Sequence, residues 1–164
     1  MIRTRQQFIR ELGFDEGQDG LYRALMFQPR VVGTLLGVGI LLQQPWLFLA
    51  LCAMLWWGAL FPASNPFDVL YNVAVAHPFG GPPLRIVPAP KRFAASLAGT
   101  FALAIALALG AGLTHAAWVL EGALGVAVLE VVILRSCRGA NIYHRLFGTG
   151  GIEAPHAHAG RSNS

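Results

Sequence analysis

The chain predicts an all-α fold, an integral membrane four-helix bundle with short interfacial and cytoplasmic helices. Three observations carry that expectation. Residues 31–61 contain no charge, and a second apolar block, Phe93–Leu134, contains only two charged residues, Glu121 and Glu130. A chain of 164 residues has too small an interior to hide both blocks, whereas a bilayer solvates them. The third observation is placement: every arginine and the one lysine lie outside both blocks.

Composition points the same way. Charged residues make up 12% of the chain, about half the ~25% of soluble domains, and the mean hydropathy is +0.54. Arg3, Arg5, Arg10, Arg23 and Arg30 precede the first block. Arg85, Lys91 and Arg92 separate the two, and Arg135, Arg138, Arg145 and Arg161 follow the second. The turns at Gln43-Gln44-Pro45 and Gly112-Leu113-Thr114-His115 carry no basic residue. With four crossings all 12 positive charges fall on one side, which places both termini and the central loop in the cytoplasm. The net charge of +4 is therefore no mark of a nucleic-acid partner, since interleaved aromatics and a recognisable module are missing.

Residues 1–28 read as a cytoplasmic amphipathic segment. Phe8, Ile9 and Leu12 share one side of a short helix, and Leu21, Tyr22, Leu25 and Met26 share one side of another, with Gly13 and Gly17-Gln18-Asp19-Gly20 between. The start lacks an apolar core and a cleavage site, so the first span is expected to act as an uncleaved signal.

The membrane domain is expected over residues 29–147, with spans at about 29–43, 45–61, 93–113 and 116–134. Gln28-Pro29 reads as a helix start, since proline suits the first helical position. Spans one and two are then short, ~21 and ~25 Å against ~30 Å of hydrocarbon. A re-entrant hairpin that never crosses is the competing arrangement. The loop 62–92 contains a capped start, Ser64-Asn65-Pro66, for a short helix to Ala76. His77-Pro78-Phe79-Gly80-Gly81-Pro82-Pro83 is expected to be irregular. Arg30, Lys91, Arg92, Arg135 and Arg138 are the expected headgroup anchors.

In span three Ala94, Ala98, Ala102, Ala106 and Gly110 recur every four residues, a ridge of small side chains for close helix contact. Gly33 and Gly37 in span one, and Gly122 and Gly125 in span four, are the expected receivers. Packing within the chain is the first reading and a dimer seam the second. Beyond Arg135 the helix is expected to continue through Phe147, followed by a disordered tail over 148–164.

Few residues offer chemistry. Glu121 and Glu130 stand nine residues apart, two and a half turns, so they face opposite ways and cannot form a paired-carboxylate site. Glu130 lies within reach of Arg30, Arg92 or Arg135 for an ion pair, and Glu121 of Gln43 or a backbone carbonyl. Cys52 and Cys137 differ too much in depth to bridge. On a continuous helix Glu130, Cys137, Asn141 and His144 fall near one face, and Arg135, Arg138 and His144 would lower the Cys137 pKa. Cys137, His144 and Glu130 are thus the candidate catalytic residues, set against a simple packing cysteine. His156 and His158, with His77 and His115 elsewhere, make no full ligand set, so no metal and no cofactor are implied.

Three blocks carry a resemblance: Pro88-Ala89-Pro90-Lys91-Arg92-Phe93-Ala94, then Leu129-Glu130, then Cys137-Arg138-Gly139-Ala140-Asn141-Ile142-Tyr143. Over about residues 25–147 the chain resembles the domain of unknown function 4395 family of small bacterial membrane proteins. The resemblance implies a four-span α-helical fold in the bacterial inner membrane and no established activity. Glu130, Cys137, Gly139 and Tyr143 match the pattern. Ala140 stands where the family typically shows a second cysteine, so a vicinal thiol pair is missing from the motif. The leading expectation is a non-catalytic accessory or scaffold subunit, with the bilayer and a membrane protein or second copy as partners. The alternatives are a single-thiol redox or sulfur-handling protein using Cys137, and a small proton-coupled transporter using Glu121.

Overall fold

A computed structural model describes residues 7–9, 12, 21–80 and 88–147, apart from the side chains of Leu21, Arg23, Phe79 and His144. The disordered tail expected over 148–164 lies outside the described residues. Among those residues the chain is all-α and contains no strand.

Helix α1 is Leu21–Leu42 and α2 is Pro45–Leu60. Gln43 joins them with φ at 49°, a left-handed conformation, and Pro45 opens α2. The first apolar helix is therefore longer than expected. It begins well before Pro29, which lies inside the helix. An internal proline removes one hydrogen bond and crowds the preceding turn. Packing offsets that cost: Ala24, Leu25 and Met26 are buried and join Phe8, Ile9 and Leu12 in one core cluster.

A short 3-10 turn, Pro62–Ser64, leads into α3. This helix runs Pro66–Tyr71, widens into a π-helical stretch Asn72–Ala76, and ends at His77–Phe79. Asn65 caps it by accepting from the Phe67 N–H. The expected irregular start at His77 is displaced to Gly80, whose φ of 63° ends the helix. The wider turn lies directly before Pro78, where a regular α-turn would meet the proline ring.

Helix α4 is Ala89–Gly110. A turn through Gly112 (φ 71°) leads to α5, which is α-helical over Thr114–Leu129 and π-helical over Glu130–Leu134. The helix does not continue to Phe147. Arg135 turns the chain with φ at 54°, and a separate helix α6 occupies Arg138–Phe147. A left-handed arginine is unfavourable, and its guanidinium lies 5.5 Å from the Tyr22 ring centroid, a cation–π contact that helps hold the turn.

Helix α4 is central and packs on α2, α5 and α6, while α1 packs on α5 and α2. The buried stripe of α4 is Ala95, Gly99, Ala102, Ile105 and Ala106. The expected ridge only partly coincides with it. A four-residue step advances about 40° beyond a full turn, so the ridge spirals off the contact. Ala102 and Ala106 face the core, Ala94 meets Gly139 of α6, and Gly110 is open. The tight approach on α4 is at Gly99, where an added Cβ would lie 2.6 Å from Trp56 of α2. Of the expected receivers, Gly33 meets Val128, whereas Gly37, Gly122 and Gly125 have nothing within 4 Å of an added Cβ.

Among the described residues three helices are long and apolar enough to cross a membrane: Ala24–Leu42, Ala89–Gly110 and Thr114–Leu134. Pro45–Leu60 is also apolar but has 16 residues, about 24 Å. Large apolar side chains cover the outside, among them Leu41, Trp46, Leu107, Trp118 and Val119. A surface of that kind suits a lipid surround.

Candidate functional site

The polar side chains gather at the two ends of the helices. At the end bearing the α1–α2 and α4–α5 turns, Gln43 Nε2 donates to both carboxylate oxygens of Glu121 at 3.1 Å and to the Ile40 carbonyl at 2.8 Å. Glu121 is buried. This is the Gln43 partner expected from the sequence.

The opposite, basic end holds more. Lys91 Nζ lies 3.1 Å from Asp68 Oδ1, and Asn65 Nδ2 donates to Asp68 Oδ2 at 3.1 Å. All three residues are buried. Lys91 is therefore an internal strut joining α4 to α3, not a headgroup anchor. Nor is Arg92 only an anchor, since its Nε donates to the Ala59 carbonyl at 2.8 Å, in the last turn of α2. Asp68 was missed in the sequence, although a lone carboxylate three residues after a capping asparagine, amid Phe67, Leu70 and Tyr71, was the available signal.

Glu130 pairs with Arg138, whose Nε and Nη2 each donate to one carboxylate oxygen, and not with Arg30, Arg92 or Arg135. The reversal at Arg135 brings α6 back toward the end of α5 and so makes this pairing possible. The same reversal breaks the expected single face of Glu130, Cys137, Asn141 and His144. Cys137 sits in the link before α6, where its carbonyl accepts from the Asn141 N–H at 3.0 Å. Glu130 belongs to the preceding helix, and the His144 side chain lies outside the described part.

Cys137 is buried in the cluster of Phe8, Leu25 and Ala140. That burial pushes its thiol above the ordinary range. The backbone N–H groups of Ala140 and Gly139 pull the other way without prevailing. The expected lowering by neighbouring arginines is overturned: Arg138 is committed to Glu130, and desolvation dominates. Gly139 is required by packing, since an added Cβ would lie 2.7 Å from the Ala94 Cβ. Tyr143 packs against Phe93 with centroids 5.8 Å apart and the rings tilted by 55°. The matched motif residues thus dock α6 on α4.

Between α1, α4, α5 and the start of α6 lies a cavity of about 170 Å³. Phe8 and Leu12 line it from the N-terminal segment, and Gln28, Lys91, Cys137 and Arg138 supply its polar lining. Among the described residues, Gln28 Oε1 and Gln43 Oε1 are buried without a hydrogen-bond partner. Among the described residues no group of three His, Cys, Asp or Glu side chains could hold a metal ion, and His156 and His158 lie outside them.

A family model described as a domain of unknown function (DUF4395) matches residues 23–147. No curated protein and no solved structure matches the chain.

Proposed function

Because this chain belongs to the domain of unknown function 4395 family, its role has to be read from its own side chains, and we infer that it is a non-catalytic accessory or scaffold subunit of the bacterial cytoplasmic membrane. In this reading α1, α2, α4 and α5 cross as two paired hairpins, with both termini and α3 on the cytoplasmic side. One observation supports it most. Three ionisable side chains in and beside the apolar helices are engaged as struts: Glu121 by Gln43, Glu130 by Arg138, Lys91 by Asp68. Engaged groups hold helices together, and a helix assembly with an apolar exterior suits lateral packing with other membrane proteins. Trp46 and Trp118 near the turns and Trp57 near the basic end are all exposed, as interfacial belts require.

Isolation of the tagged full-length chain in mild detergent tests the reading. A stoichiometric membrane-protein partner, retained on crosslinking in intact cells, is the expected result. A solitary monomer from crosslinked and uncrosslinked cells alike would overturn it. Reporter fusions after Gly80 and after Phe147 are expected on the same side of the membrane.

The single-thiol alternative draws on one feature, the N–H groups of Gly139 and Ala140 facing Cys137. It requires Cys137 to alkylate rapidly at neutral pH in intact membranes.

A further inference from the structure

Helix α6 does not run along the other helices; it lies across the start of α4. Gly139, Tyr143 and Phe147 are spread over about 12 Å of helix. Yet Gly139 approaches Ala94, and the rings of Tyr143 and Phe147 both pack against Phe93. Phe93 and Ala94 are neighbours, separated by about 1.5 Å along α4. Helices running side by side would keep step over that length, so the two axes cross steeply. Phe93 directly follows Lys91 and Arg92, where α4 changes from charged to apolar. In the membrane placement inferred above, that level is the cytoplasmic headgroup boundary, and α6 lies in its plane.

Packing takes one side of α6, where Gly139 and Ala140 are buried. The flank beside it is apolar and uncovered. Ile142 and Leu146, one turn apart, are 39% and 67% exposed. Ile133 and Leu134, in the last turn of α5, are exposed as well. Arg145 stands about 60° around the helix from Ile142 and is also exposed.

Charge at this end is uncompensated. Among the described residues its carboxylates are Asp68 and Glu130, which are taken by Lys91 and Arg138. Neither pairs with Arg30 or Arg145, and both of these arginines are exposed. An apolar strip edged by a cation without a counter-charge matches the boundary between acyl chains and headgroups in an anionic leaflet.

We propose that α6 is an interfacial helix that binds anionic phospholipid of the cytoplasmic leaflet, with Ile142 and Leu146 among the first acyl carbons and Arg145 on the headgroup phosphate. The inference rests on the membrane placement given above and is independent of the accessory role.

The experiment places the full-length protein in vesicles of equal parts phosphatidylglycerol and phosphatidylcholine. Nitroxides are attached through Ile142→Cys, Leu146→Cys or Val126→Cys, each in a Cys52→Ala, Cys137→Ala background. Collisions with oxygen and with a water-soluble nickel chelate are then compared. Val126, exposed on α5, reports the membrane placement by itself. Oxygen is expected to dominate at all three positions. Oxygen at 126 with nickel at 142 and 146 overturns this inference alone, whereas nickel at 126 overturns the membrane placement with it. Labels at 142 and 146 closed to both reagents mean that protein covers the strip, which also overturns the proposal.

Selectivity is read by native mass spectrometry of the protein with its own cysteines, released from micelles containing both lipids. Phosphatidylglycerol is expected to be retained over phosphatidylcholine, and Arg145→Gln lowers that preference about fivefold, the worth of one arginine near an anionic surface. Equal retention of the two lipids, or a preference indifferent to Arg145→Gln, overturns the proposal. If the cysteine-free background fails to fold, this lipid comparison decides alone.

Discussion

Replacing Lys91 by methionine should be among the most damaging conservative changes in the chain. The substitution keeps most of the side chain's length and bulk but removes the ammonium from Asp68. Both side chains are 7% exposed, so water cannot take over the role. Breaking a buried ion pair from one side costs about 3–5 kcal/mol, because the remaining charge keeps its desolvation cost without its partner. Asn65 cannot make good the loss, since its Nδ2 already donates to Asp68 Oδ2 and its Oδ1 caps α3. Adding Asp68→Asn removes the stranded charge and should recover much of the stability. The double variant is then expected to be more stable than Lys91→Met alone, with a coupling of at least about 2 kcal/mol. Equilibrium unfolding in mixed micelles, followed by the fluorescence of the four tryptophans, measures Lys91→Met, Asp68→Asn and the double variant. A Lys91→Met variant within about 0.5 kcal/mol of the parent, or additive effects in the double variant, would refute the reasoning. Lys91 would then be a solvated anchor after all.

Three further outcomes are expected. Gly139→Ala should destabilise by about 1–3 kcal/mol, because its Cβ meets the Ala94 Cα at 2.8 Å and only movement of α6 relieves the clash; loss of α6 protection in hydrogen exchange reads this directly. Gln43→Leu should cost about 1–3 kcal/mol by leaving buried Glu121 without its donor, and Glu121→Gln should cost less because it keeps a hydrogen-bonding partner for Gln43. For Cys137, burial raises the folded thiol above its unfolded value. Its contribution to stability is therefore complete below the unfolded value and lost as pH rises through the folded one. Alkaline unfolding of Cys137→Ala should be correspondingly less steep than that of the parent, and maleimide labelling of the parent at neutral pH should be slow.

Hydropathy reports which solvent a segment prefers, and on that point the sequence was legible. The turn at Gln43-Gln44-Pro45 and the Asn65 cap could be read from local rules, and Gln43 stood as one of two expected partners of Glu121 by its depth. Hydropathy carries no azimuth, however, and the α4 ridge shows the consequence. Four-residue spacing suggested one face, whereas the contact follows Ala95, Gly99, Ala102 and Ala106. Proline rules placed a helix start at Pro29, but they weigh a local cost alone and omit the packing of Leu25 and Met26 against Phe8. The break at Arg135 was hidden for the opposite reason. Left-handed turns are expected at glycine, and here a long-range contact with Tyr22 holds an arginine in one. The errors at Glu130 and Cys137 followed from that break, since it exchanges Glu130's partner and moves Cys137 off the helix.

The distribution of the polar ties bears on what the basic end is for. Lys91 reaches across 23 residues to Asp68, Arg92 across 33 to the Ala59 carbonyl, and Arg138 folds back on Glu130. Three of the five expected headgroup anchors are thus committed to other elements of the chain, and Arg135 lies over Tyr22. A charge that only marks a membrane boundary needs no such partner, because lipid phosphates and water supply one. The ties instead fix α3 and α6 against the ends of α2, α4 and α5, around the cavity that holds the unpaired Gln28 acceptor. Arginines at this end therefore serve construction first. The prediction for Lys91→Met follows from treating this end as a built structure.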